Sequence, residues 1–206
     1  MADSILDIGS ITAMWLWQPN WARYRTSNLQ LSKTILAHYG TSYELWVENL
    51  KAPRRMEFTF LVNGREDAHE IISFISDRKG RFEKFWIPTW IEQFRIAKDI
   101  WSGEAQITVA DDSFSAIFSG YERVALILYN GDIIVRRITA VTVVGSTEVI
   151  SLASPLDRNI LMTDINFICL FLLGRFDSDL FVLDYESSLV SQIKFSVYEL
   201  IREYPA

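Results

Sequence analysis

Acid side chains come nearest to a spacing that could do chemistry. Asp111 and Asp112 are adjacent, and Asp177, Asp179 and Asp184 lie close together further on. Asp177 and Asp179 alternate as oxygen ligands to a cation do, and paired carboxylates are also the equipment of acid/base hydrolysis. The glycine and distal glutamate of a calcium loop are missing, and aspartates between strands ordinarily accept bonds from nearby backbone amides. The turn role is therefore expected. Cation binding and a carboxylate-dependent hydrolase built on Asp177 and Asp179 stand as its rivals.

Other reactive groups are few. The two histidines, His38 and His69, have no third ligand at metal spacing. A single cysteine, Cys169, excludes a disulfide within the chain and a cysteine-based zinc site, and its apolar surroundings predict a buried, inert thiol. No Gly-x-Ser-x-Gly elbow or phosphate-binding glycine loop is present. These features predict a protein that is not an enzyme, with no catalytic residue, metal site or cofactor.

The seven tryptophans admit another kind of chemistry. Flat aromatic faces stack on sugar rings, so a carbohydrate- or receptor-binding β module using exposed Trp is the alternative function. Core and subunit contacts are the preferred explanation, because Trp, Tyr and Arg are enriched where chains meet. Trp15, Trp17 and Trp21 sit in an N-terminal stretch read as a docking arm that orders on assembly.

The bulk numbers agree with a structural role. The chain has 206 residues, half of them hydrophobic, enough for one large domain or two small ones with a real core. A net charge of −6 argues against general nucleic-acid binding, which needs a basic face. Arg54-Arg55, Arg78-Lys79 with Arg81, and Arg136-Arg137 are short clusters, read as solvated or interface charge. The apolar run at 165–173 is too short to span a bilayer, and the acidic first ten residues predict no signal peptide. Synthesis in a reducing cytoplasm is expected.

The elements that would position these groups read as follows. Residues 43–47 and 54–62 are expected strands, the latter with Met56, Phe58, Phe60 and Val62 alternating at period two. For 29–38, helix and strand remain equally open. A helix is predicted over 64–79, with Asn63 at the N-cap and Glu66 three residues on. Ala68, Ile71, Ile72 and Ile75 form its apolar stripe. Glu66 and Asp67 begin it, Arg78 and Lys79 end it, and Gly80 supplies the left-handed stop. Phe82, Phe85, Trp86 and Trp90 follow and must close over the helix or meet a partner chain, with Pro88 keeping the stretch off a sheet centre. Beyond residue 106 strands recur: 123–129 and 132–144 around Asn130-Gly131, read as a type I′ hairpin, then 148–152, 165–173, 180–184 and 192–200. The fold class expected is mainly β (α+β). An N-terminal β-sandwich or split barrel with one packed helix (1–100) would precede a small antiparallel barrel or sandwich (101–206).

Two stretches carry a resemblance. The order strand, Asn63-Gly64-Arg65-Glu66-Asp67, helix, then Arg78-Lys79-Gly80-Arg81-Phe82-Glu83-Lys84-Phe85-Trp86-Ile87-Pro88-Thr89-Trp90 resembles the distal tail and minor tail proteins of tailed bacteriophages. Gly174-Arg175-Phe176-Asp177-Ser178-Asp179 is similar to a segment near the end of such proteins. The resemblance implies a structural component of the tail tip or baseplate, forming a homo-oligomeric ring that joins the tail tube to the hub or fibres. Tube, hub and tape-measure proteins would be its partners and the virion its destination. One branch of the family holds an iron–sulfur cluster through several cysteines, which Cys169 alone does not supply. Trp15, Trp17, Trp21, Arg81, Phe82, Phe85, Trp86 and Trp90 are the residues expected at subunit contacts.

Overall fold

The computed structural model describes residues 13–20, 26–29, 33–37, 43–47, 54–110, 113–117, 121–187 and 189–200. In chain order the elements begin with strands β1 (Thr26–Leu29), β2 (Lys33–Ala37), β3 (Tyr43–Val47) and β4 (Arg54–Asn63). Helix α1 (Gly64–Asp77), β5 (Phe85–Pro88), β6 (Gln106–Ala110) and the single-turn α2 (Phe114–Ile117) follow. Strands β7 (Arg123–Leu128), β8 (Ile133–Val144), β9 (Thr147–Leu152), β10 (Ile165–Phe176), β11 (Val182–Tyr185) and β12 (Val190–Glu199) complete the set. The fold is mainly β, as the alternating patterns require, and the open segment before residue 38 carries a strand paired antiparallel with β3.

The described residues fall into two compact units, and neither is a contiguous half of the chain. The first takes 13–17 and 85–173; the second takes the rest. The expected boundary near residue 100 thus lies inside the first unit. The chain crosses between units after Trp17, Lys84 and Leu173, so strand β10 gives its last three residues to the second unit.

In the first unit the strand order is β10-β7-β8-β9-β6, with β5 also on β10. All six residues of β7 are buried, as is almost all of β10 up to Leu173. These continuous apolar runs mark strands covered on both faces. Strand β8 pairs with β7 through its first half and with β9 through its second, with a register shift between Ile138 and Ala140. One extra residue there bends the strand from one partner to the other. The β7–β8 connection falls where Asn130-Gly131 predicts it, but its type differs. Only Gly131 has a positive φ, 92°. Its N–H reaches the Leu128 carbonyl, and the Leu128 N–H reaches the Asp132 carbonyl. This is a three-residue loop with glycine in the left-handed position, rather than the two-residue type I′ turn.

In the second unit β12 pairs with β4 over nine successive residues from Val190↔Asn63 to Tyr198↔Arg55. Strand β1 lies on β4, and β11 and the end of β10 lie on β12. The alternation along β4 puts Phe58 and Phe60 against Phe195, with the Phe60 and Phe195 rings stacked at 5.1 Å. Phe176 meets Phe195 edge-on at 5.0 Å and Phe74 of α1 at 6.5 Å. Through these rings and the buried Ala68 and Ile71 the helix packs on the sheet. Burying each such side chain contributes about 1.5–3 kcal/mol. Ile72, expected in the same stripe, is 48% exposed, because the helix buries a narrower face than the periodicity suggests.

Candidate functional site

The helix ends two residues earlier than its sequence predicts. Asp77 is its last residue and Arg78 caps it, with no basic side chain in the final turn. Asn63 occupies the N-cap position with extended backbone, but its side chain makes no capping bond. At the other end Lys79 and Gly80 both adopt left-handed conformations, at φ 50° and 60°. The two together swing the chain round so that the Glu83 N–H meets the Arg78 carbonyl at 2.9 Å.

That turn presents Arg81 to Asp179, 98 positions along the chain. The Arg81 backbone N–H donates to Asp179 Oδ1 at 2.8 Å, and its Nε donates to Oδ2 at 3.0 Å. The backbone bond first, then the guanidinium, hold the Asp179 carboxyl below the usual carboxylate range. Gly80 makes room for this clasp, since a Cβ there would lie directly against the Asp179 carboxylate. Asp177 is held from another side by Arg55, with Nε 2.8 Å from Oδ2. Gly174 allows an equally close approach, because a Cβ on it would stand 2.5 Å from Val197 Cγ1. The two stretches singled out in the sequence therefore meet in the second unit. Around them is a hollow of about 680 Å³, lined by Lys79, Arg81, Phe82, Arg175, Asp177 and Tyr198 among others.

A second hollow, of about 580 Å³, lies at the opposite end of α1. Its apolar wall is Ala68, Ile72, Tyr185 and Leu189, and His69 and Arg65 also line it. The Gly64 N–H bonds the Leu189 carbonyl at 2.6 Å, which fixes the loop before β12 to the helix start. Strand β11 pairs with β12 on one edge only among the described residues. The Gln192 amide bonds the Glu186 carboxylate nearby.

Asp177 and Asp179 are each engaged by an arginine, and among the described residues no three His, Cys, Asp or Glu side chains gather as a metal site. His69 and Asp184 are exposed, while His38, Asp111 and Asp112 lie outside the described residues. Cys169 is buried, and burial pushes its thiol up to about 12, which agrees with an inert side chain.

Of the expected contact residues, Trp15, Phe85, Trp86 and Trp90 are fully buried in the first unit. They have no face left for a neighbour, because each is already covered by its own unit. Trp15 and Trp86 are joined by backbone bonds, Trp15 N–H to Trp86 carbonyl at 2.8 Å and Trp86 N–H to Ala13 carbonyl at 2.9 Å. The expected docking arm is, at Trp15, part of the core. Phe171 stacks on Trp86 with rings 5.8 Å apart, and the buried Arg123 guanidinium stands 4.3 Å over the same ring. Trp17 is half-buried and Trp21 lies outside the described residues. Arg81 and Phe82 remain at the surface of the second unit, Phe82 with 78% of its area exposed. Sequence reasoning missed Arg55 as the partner of Asp177 and missed the groove formed by Ile72, Tyr185 and Leu189. No local pattern marks either, since each joins segments more than a hundred positions apart.

No family model matches the chain, and no curated protein matches it in sequence. Among solved structures, the bovine atadenovirus type 4 fibre head protein aligns at 12% identity over 86% of this chain and 100% of that one. The TM-score is 0.20, too low for the two folds to be equated.

Proposed function

We propose that the chain is a structural component of a phage tail tip or baseplate, assembled as an oligomeric ring that joins the tail tube to the hub or fibres. One observation carries the reading. The two separated stretches that resemble phage tail-tip proteins are clasped together by Arg81 and Asp179, with Gly80 providing the space. Residues split in sequence but joined in space behave as one structural feature, and no reaction is needed to account for them. Tube, hub and tape-measure proteins are the partners, and the virion tail is the location after synthesis in the host bacterial cytoplasm.

The rival readings lose support from the same geometry. A hydrolase on Asp177 and Asp179 would need one of the two carboxyls free to carry a proton, whereas each is ion-paired with an arginine, Arg55 on Asp177 and Arg81 on Asp179. A sugar-stacking surface would need exposed tryptophans, and with Trp15, Trp86 and Trp90 in the core it would have to be built on Trp101, which is 48% exposed. Light scattering on the purified chain, with electron microscopy of antibody-labelled particles, tests the proposal. A closed multimer and label at the tail tip are expected. A persistent monomer with no label on any tail would overturn it.

A further inference from the structure

Strand β11 leaves one edge of the second unit's sheet without a partner strand among the described residues. Its register on β12 fixes what that edge presents. The Glu186 N–H donates to the Val190 carbonyl at 2.9 Å, and bonded pairs alternate along an antiparallel ladder. Asp184 and Val182 therefore bond towards β12, opposite Gln192 and Lys194. The N–H and C=O groups of Leu183 and Tyr185 turn outward. Their side chains lie opposite the buried Ile193 and Ser191, on the face where α1 packs over β4 and β12. Phe181 keeps to that face, its ring 4.9 Å from Phe176, which in turn meets Phe74 of α1. This apolar row runs off the sheet at Tyr185, which is 72% exposed and lines the hollow beside Ile72. Val182 and Asp184 point to the opposite face, and both are exposed.

We infer that β11 of one copy pairs antiparallel with β11 of a second copy, across a two-fold axis through Leu183. An antiparallel edge is its own complement. Half a turn about an axis normal to the sheet brings each outward N–H to an outward C=O, and every side chain stays on its own face. Backbone bonding alone admits an axis at Leu183 or at Asp184, and charge decides between them. An axis at Asp184 sets two carboxylates directly opposite each other, which repel. An axis at Leu183 sets each Asp184 opposite an exposed Val182 and each Tyr185 opposite a Phe181, so the apolar row continues from copy to copy. Hydrogen bonding, face and charge thus match in one register of this strand against itself, and that match identifies the occupant as a second copy. The contact is isologous and closes at two copies, so it does not make the ring proposed above. Within such an assembly it would join two rings face to face.

The test uses the full chain, with sedimentation velocity for association and circular dichroism for folding. Leu183→Pro removes an outward N–H that the chain itself does not use, so the fold should hold. Two bonds are lost from each pair of copies, and association through β11 should weaken tenfold or more. A lone pair of copies becomes two monomers, whereas a double ring falls to half its mass. Cysteine cross-linking reads the register. Leu183→Cys should link to itself under mild copper-catalysed oxidation, since bonded partners have Cα atoms about 5.5 Å apart. Val182→Cys and Asp184→Cys should each fail to link alone and should link when mixed, because each faces the other across the axis. Cys169 is buried and does not compete. Failure of Leu183→Cys to link, or equal linking by all three single variants, would overturn the pairing. A ring whose mass Leu183→Pro leaves unchanged would also overturn it while the ring reading stands. A pair of copies that links as expected but builds no ring would support the pairing and count against the ring. If Leu183→Pro fails to fold, the cysteine variants decide alone.

Discussion

Replacing Gly80 with alanine tests whether the clasp between the two motif stretches is a packing requirement. Gly80 has φ +60°, where an L side chain costs about 1–2 kcal/mol through contact with its own backbone. The added Cβ would also lie against Asp179 Oδ1, with Asp179 Cγ at 3.2 Å and Cα at 3.4 Å. Either the carboxylate turns away from Arg81 or one segment shifts, so the full penalty must exceed the backbone share. Urea unfolding of Gly80→Ala, Asp179→Ala and the double variant separates the two. In the Asp179→Ala background the oxygen is gone, and Gly80→Ala should cost only the backbone share of about 1–2 kcal/mol. In the wild-type background it should cost clearly more. Equal penalties in both backgrounds would refute the steric argument, and no penalty in either would refute the left-handed assignment as well. Arg81 lowers the Asp179 carboxyl in the folded state, so its contribution is present above the ordinary carboxylate range and is lost as pH falls through the lowered value. Asp179→Ala should therefore flatten the acid limb of stability below about pH 4 and leave the neutral region parallel to wild type.

Three further outcomes follow from other elements. Glu148 is buried and accepts the Phe114 and Ser115 backbone N–H groups at 3.0 and 2.8 Å, so Glu148→Gln should lower stability by about 1.5–3 kcal/mol in urea unfolding; an unchanged midpoint would contradict its role in seating α2. The Cys169 thiol, pushed up to about 12 and fully covered, should resist an aromatic disulfide reagent at pH 8 until denaturant is added, and rapid labelling of the native chain would show that the site opens. Asn63→Ala should change stability by less than about 0.5 kcal/mol, because the side chain makes no cap bond; a loss near 1 kcal/mol would show that the bond forms in solution.

Local signals were legible, and their limits are physical. The alternation of Met56, Phe58, Phe60 and Val62 placed β4, because a half-buried strand needs only the residues on its own face to be apolar. The stripe of α1 placed the helix, but could not say that Ile72 would stay exposed, since that depends on how far the sheet extends beneath it. Asn130-Gly131 marked the hairpin, whereas its type followed from the register that β7 and β8 adopt. The composition of the aromatic run after Gly80 suits either a cover for the helix or a subunit contact. Trp86 and Trp90 were instead claimed by β10 and by the segment at Trp15.

The sequence by itself determined that the chain is mainly β, that one helix lies between β4 and β5, and that Gly80 ends its turn in a left-handed conformation. Each of these depends on backbone preference and on the period of a few neighbouring residues. Only the tertiary structure decided that the units are discontinuous, that Trp15 and Trp86 share a core, and that Arg81 meets Asp179. The Trp15–Trp86 and Arg81–Asp179 contacts join segments about 70 to 100 positions apart. Which distant segment covers a given face is settled by the packing of the whole chain, and no local pattern records it.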